Sequence, residues 1–258
     1  MLNQRCALIA GANWELGRAV AAFFAAQGAA IAAVGPSKSE LDGAVAAASA
    51  RSQTGNVLVA DTSDEAAVAA SVIRARDAMG GRIDILVNLG GAEMPLRPIW
   101  DVTPDEYDAA MDGNLRGPFL LTKHVLPTMI ARGGGRIVNI GAGAGHRGTE
   151  AQACYAGFKW SLRGLTRTVA LEAGEHGVTV NLVSPGMIAG PAAERRFAER
   201  ARLDGVALDE ARAAAAHKPA LRRLGTAEDV AQVVLFLVSD AARFVTGQEI
   251  VVDGGASV

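Results

Sequence analysis

Tyr155 and Lys159 stand four residues apart in the run Tyr155-Ala156-Gly157-Phe158-Lys159, a spacing that puts both side chains on one face of a helix. A phenol beside an ammonium is suited to proton transfer. The positive charge favours phenolate over phenol and draws the tyrosine pKa from about 10 toward working pH. A second feature with chemical content opens the chain: a short apolar run leads into Gly11-Ala12-Asn13-Trp14-Glu15-Leu16-Gly17 and then an alanine-rich stretch of helical period. Strand, glycine turn and helix N-terminus present main-chain N–H groups and the positive end of a helix dipole to an anion, the recipe for holding a dinucleotide pyrophosphate.

Other chemistries find no support. His124, His146, His176 and His217 are dispersed and pair with no cysteine at ligand spacing, so no metal site is expected. No Gly-x-Ser-x-Gly elbow is present, and Cys154 reads as a small core or pocket residue. Trp14, Trp100 and Trp160 form no stacking stripe for single-stranded nucleic acid. The arginines at 195, 196, 200 and 202 alternate with Glu194 and Glu199 and read as a solvated helix face.

The elements that must position these groups follow from pattern. The chain has 258 residues, 50% of them hydrophobic, with a net charge of −2, which excludes disorder and gives no global attraction to nucleic acid or anionic lipid. Two cysteines are too few for a disulfide framework and fit a reducing, cytoplasmic compartment. No segment approaches bilayer length, and the apolar run 6–10 is too short for a signal sequence. Apolar runs at 5–10, 29–34, 56–60, 83–88, 136–141, 179–183 and 249–252 alternate with segments of helical period. That alternation predicts an α/β fold: a single-domain, Rossmann-like, doubly wound sheet of seven parallel strands flanked by helices. Ser37 or Ser39, Ser63, and Thr103 ahead of Pro104 read as helix N-caps. Segment 187–218 interrupts the alternation beyond the sixth strand and is a candidate lid, since ligands of open parallel sheets bind outside the strands' carboxyl ends.

In order and spacing the chain resembles the short-chain dehydrogenase/reductase family from end to end, in the single-domain branch that includes 3-oxoacyl-acyl-carrier-protein reductases. The glycine turn, Asp61, Asn88-Leu89-Gly90-Gly91, Asn114, Tyr155-x-x-x-Lys159, Ser184-Pro185-Gly186 and the closing Thr246-Gly247 through Gly254-Gly255 carry the resemblance. It implies an NAD(P)(H)-dependent oxidoreductase interconverting a ketone and a secondary alcohol. Tyr155 would be the acid and base, Lys159 would lower its pKa and orient the nicotinamide ribose, and Asn114 would join the proton path. The coenzyme would be held by Gly11, Asn13, Trp14, Leu16, Gly17, Ser37, Lys38, Asp61, Thr62, Asn88, Gly90, Pro185, Gly186 and Ile188, together with Tyr155 and Lys159. A homotetramer, or a homodimer, built on helices at 105–131 and 153–174 and on the last strand is implied as well.

Departures from the family pattern bear on function. Glu15 stands where the family's middle glycine belongs, at the helix terminus a pyrophosphate would use, so either its carboxylate points to solvent or the cofactor is bound weakly. Gly35 replaces the aspartate that marks NAD-preferring members, and Ser37 and Lys38 follow, which favours NADP over NAD. The family's serine, 13 residues before the tyrosine, is Ala142, and Met187-Ile188-Ala189-Gly190 lacks the threonine that binds the carboxamide. His146 and Thr149 are the polar residues of the Ala142 loop that could replace the lost hydroxyl in a substrate pocket of Ala142, His146 and Tyr155. These substitutions leave two readings: a slow or specialised oxidoreductase, or a catalytically feeble homologue serving as a binding or interaction subunit.

Overall fold

The computed structural model describes residues 1–12, 14–49, 55–90 and 94–258. Seven strands form one sheet: β1 (Cys6–Ala10), β2 (Ala30–Gly35), β3 (Gly55–Val59), β4 (Ile85–Asn88), β5 (Gly135–Ile140), β6 (Val178–Pro185) and β7 (Glu249–Val252). Their order is β3-β2-β1-β4-β5-β6-β7, and every neighbouring pair is parallel. The chain winds outward twice from β1, so its glycine turn lies where the strand order reverses, beside the carboxyl end of β4.

The apolar runs lack polar alternation because both faces of the sheet are covered. Within β1, Ala7 and Ile9 enter one core while Cys6, Leu8 and Ala10 enter the other. Helices α1 (Glu15–Ala26), α2 (Lys38–Ser49) and α9 (Ala227–Val238) cover the first face; α3 (Glu65–Ala78), α5 (Gly117–Ala131) and α6 (Ala153–Ala173) cover the second. The period-2 pleat distributes one continuous apolar run between two cores. No helix among the described residues is long and apolar enough to cross a membrane.

Two boundary expectations change. The helix expected over 105–131 is α4 (Pro104–Met111), a π turn at Asp112–Arg116, and then α5. Thr103 and Glu106 close the capping box that starts α4, whereas Gly113 and Asn114 are weak helix formers where the helix widens. Asp64, not Ser63, caps α3 by accepting from the Ala67 amide. Ser63 instead donates twice to Asp61, from its amide at 2.8 Å and its hydroxyl at 2.7 Å. Segment 187–218 contains α7 (Pro191–Asp204) and α8 (Leu208–His217), packed on each other. Its entry is fastened to the body through Ala189 N to Gly225 O at 2.8 Å and Gly225 N to Met187 O at 2.9 Å.

Candidate active site

The carboxyl ends of β1, β4, β5 and β6 deliver the glycine turn, Asn88 to Gly90, Ala142 and Pro185-Gly186 to one edge of the sheet. Gly11 has φ +74°, and a Cβ there would overlap the Leu89 carbonyl oxygen, so only glycine lets β1 turn this close to β4. A cleft of about 170 Å³ opens beside the turn, its walls including Gly11, Trp14, Gly35, Thr62, Asn88 and Gly90. Helix α1 starts without a side-chain cap on its first N–H groups, because Trp14 occupies the N-cap position and accepts nothing. Those donors stay open to an anion. Together the cradle and the open helix end fit a nucleotide with a phosphate at the turn.

Asn88 sits under the cleft in a buried amide chain. Its Nδ2 donates to Asn139 Oδ1 at 2.9 Å and Thr122 Oγ1 at 3.3 Å, and Asn139 Nδ2 donates to Thr166 Oγ1 at 2.9 Å. Asn139, Thr122 and Thr166 carry no motif that sequence reading could find. Asn88 and Asn139 become cross-strand neighbours only through the β4–β5 register.

Tyr155 and Lys159 rise from the first turns of α6 as their spacing requires. Lys159 is fully buried; its Nζ donates to Gly90 O at 2.9 Å and Ile140 O at 3.3 Å and lies 5.6 Å from the Tyr155 ring centroid. Burial pushes its pKa down to about 7. Tyr155 is half-buried against a small cluster of Met94, Ala110 and Phe158. Asn114, buried within the π turn, donates from Nδ2 to Ala110 O at 2.9 Å. A local widening of this kind re-aims side chains and recurs at functional sites.

The remaining predicted residues fall as follows. Gly17 is buried against Gly11 and Ala12, Leu16 packs on the first core, and Ile188 bridges to Gly225. Pro185 ends β6, and the Gly186 amide donates to Val252 O at 2.9 Å. Asp61 is exposed, and the two Ser63 bonds lower its pKa. Ser37 Oγ meets Ser39 Oγ at 3.1 Å, and Lys38 Nζ is forked on Asp42 at 2.9 and 3.0 Å. Asn13 and Gly91 lie outside the described residues.

Ala142 has extended backbone (φ −162°, ψ 164°) and is partly exposed at the entrance to a short 3₁₀ turn. His146 is partly buried in the same loop. It is turned to β7, with Nδ1 4.0 Å from Glu249 Oε1, and Glu249 also accepts from Ser184 Oγ at 2.7 Å and pairs with Arg163 at 2.6 Å. The approach is too long for a hydrogen bond, and both ring nitrogens are buried without a hydrogen-bond partner; no pattern in the loop signals an acid so distant in the chain.

Glu15 crosses to the lid entry. Its carboxylate lies against Gly190, in the space a Cβ would fill, at the N-cap of α7. Gly190 has φ +146°, a conformation side chains rarely adopt. Glu15 is absent from the walls of the nucleotide cleft, but remains a unit of negative charge in the first turn of α1. Glu15→Gly is therefore expected to tighten coenzyme binding about fivefold, from about 1 kcal/mol of relieved repulsion between solvated charges. Fluorescence titration of both proteins checks this, and equal affinities would discard it.

The profile of the enoyl-(acyl carrier protein) reductase family matches residues 11–257. A short-chain dehydrogenase/reductase of Armillaria gallica is 36% identical, the alignment spanning 97% of this chain and 95% of the relative. Levodione reductase of Leifsonia aquatica is 37% identical over 99% and 95% of the two chains. The crystal structure of NAD+-bound xylitol dehydrogenase superposes with a TM-score of 0.95 at 30% identity, covering 98% of this chain and 99% of that one. The glycine cradle, the Tyr155–Lys159 pair and this full-length similarity place the chain in the short-chain dehydrogenase/reductase family of oxidoreductases.

Proposed function

We propose that the protein reduces a small ketone, or oxidises the matching secondary alcohol, with Tyr155 as the proton donor and acceptor. What carries the reading is Lys159. An ammonium sealed in the core and held by the Gly90 and Ile140 carbonyls serves no packing purpose an apolar residue would not serve better. Beside Tyr155 it favours the phenolate and so eases loss and return of the hydroxyl proton. The coenzyme, when bound, supplies or accepts the hydride. Asn114 positions the inner end of the proton path; the residues of the glycine turn hold the phosphates, and Asp61, Thr62 and Asn88 flank the nucleoside. Segment 187–218 covers the substrate within one 258-residue domain, and the chain assembles as a homotetramer.

NADP is the proposed coenzyme. The Gly35 position carries no acid to repel a 2′-phosphate, and Lys38 stands just beyond. Its pair with Asp42 is exposed on both sides and contributes under about 1 kcal/mol, so a phosphate can recruit the ammonium. NAD+ in the xylitol dehydrogenase structure keeps NAD as the comparison arm.

The test is cofactor oxidation over a panel of ketones, preceded by thermal denaturation with NADPH and with NADH. A ligand of the native state alone must raise Tm. NADPH is expected to raise it more than NADH, and Lys38→Ala to erase the difference. The gain should shrink as pH rises above about 7, where Lys159 loses its proton. The sign follows from linkage: an anionic ligand near Lys159 raises its proton affinity, so the complex binds more protons than the free protein above that pH, and affinity falls there. No Tm shift with either nucleotide and no turnover would refute the reading.

A further inference from the structure

Gly141, Gly143, Gly145 and Gly148 punctuate the loop that carries Ala142, and glycine gives up more backbone freedom on being fixed than any other residue. Helix α6 fixes the loop from outside. Lys159 Nζ donates to the Ile140 carbonyl at 3.3 Å, Trp160 Nε1 to the Ala144 carbonyl at 3.1 Å and Arg163 Nη2 to the Gly145 carbonyl at 3.1 Å. Ala142 therefore lies between carbonyls that are tied, before and after it, to the helix bearing Tyr155. The loop also rests on that helix, since a Cβ on Gly145 would stand 3.1 Å from Lys159 Cβ.

Arg163 reaches furthest of the three. It pairs with Glu249 of β7 at 2.6 Å, and its guanidinium lies over the Trp160 ring at 4.6 Å; Glu249 is held in turn by the Ser184 hydroxyl of β6 at 2.7 Å. Only 21% of the Arg163 side chain and 10% of the Glu249 side chain are exposed, and Arg163 Nε is sealed from solvent without a hydrogen-bond partner. An ion pair so dehydrated is often no more stabilising than apolar side chains of similar volume. What it adds is direction, because a planar guanidinium shared between a carbonyl and a carboxylate accepts few orientations.

We propose that Arg163, braced by Glu249, is a positioning residue: it holds the Ala142 loop against the Tyr155–Lys159 turn of α6 and so sets where the substrate oxygen stands relative to the tyrosine hydroxyl. It acts through the Gly145 carbonyl, not by contact with the reacting atoms. The inference rests on the oxidoreductase reading for its catalytic consequence, while the clamp itself stands on the hydrogen bonds and the ion pair. A loosened loop leaves the productive arrangement, and a misplacement of about 1 Å can cost about 10²-fold in rate.

Arg163→Ala is expected to lower kcat for a ketone by about 10- to 100-fold. The Tm gain from NADPH should stay as in the wild type, because β4 separates the glycine turn of β1 from the loop after β5. Arg163→Lys should recover part of the loss, and Glu249→Gln, which keeps the shape and removes the charge, should cost less than Arg163→Ala. Should Arg163→Ala fail to fold, these two variants give the same readings. A kcat within about twofold of wild type, whatever happens to Tm, leaves Arg163 a structural role only and overturns the proposal. Amide hydrogen exchange read by mass spectrometry needs no turnover. The Gly145 amide, bonded to Ala142 O at 2.7 Å, and its neighbours in the loop should exchange about tenfold faster in Arg163→Ala, as for the loss of a charged hydrogen bond. Faster exchange confined to the loop supports the clamp even if no ketone is turned over by the wild type, an outcome that would sink the oxidoreductase reading alone. Unchanged exchange overturns the clamp.

Discussion

Tyr155→Phe is expected to lower kcat by about 10²- to 10⁴-fold, the range supplied by a positioned general acid, while leaving coenzyme-induced stabilisation in place. The substitution removes one oxygen. The ring keeps its contacts with the Met94, Ala110 and Phe158 cluster, so the fold is expected to persist, and unchanged thermal denaturation would verify that. In the proposed reaction the hydroxyl proton is the one transferred, and Lys159, 5.6 Å from the ring, would lower the free energy of the phenolate left behind. Phenylalanine leaves the ammonium with no oxygen to assist. Single-turnover decay of NADPH absorbance with a saturating ketone measures the step directly, and a loss smaller than about tenfold would remove Tyr155 from the acid's role.

Ala142→Ser is expected to act in the opposite direction, raising turnover by about 10²- to 10³-fold, the usual worth of one preorganised donor to a developing oxyanion. Position 142 accepts the change without strain, because its backbone is extended and its side chain is not sealed in the core. His146 of the same loop lies with its ring beside Glu249, Nδ1 being 4.0 Å from the carboxylate. The expected signature is a rise in kcat with little change in KM, since the bond strengthens as negative charge grows on the substrate oxygen. Unchanged kcat would mean that another group or a later step governs the rate. A wild type without turnover and an active Ala142→Ser protein would instead favour the binding-subunit reading, with Tyr155 and Lys159 kept on an unfinished site.

How far residues could be read without coordinates depended on range. Tyr155 and Lys159 share a helix face because four residues make about one turn, and α6 places them so. The Thr103 box likewise acts within a few residues of itself. Ser63 was misread as a cap because Asp64 beside it competes for the same role, and the better-placed carboxylate won. The helix expected over 105–131 is interrupted at Asp112–Arg116, where the backbone widens into a π turn around buried Asn114.

The sequence by itself determined the class of sheet, the edge at which the motif residues gather and the sharing of one helix face by Tyr155 and Lys159. Periodicity, glycine turns and i to i+4 spacing are local properties that packing does not need to supply. Only the tertiary structure decided what each group faces. Lys159 loses proton affinity because the carboxyl ends of β4 and β5 and α6 together exclude water around it. Glu15 reaches Gly190 and His146 comes beside Glu249 because strand order and helix packing bring distant segments to one edge. Electrostatics depends on distance and solvent exclusion in three dimensions, and neither is written in the spacing of residues along the chain.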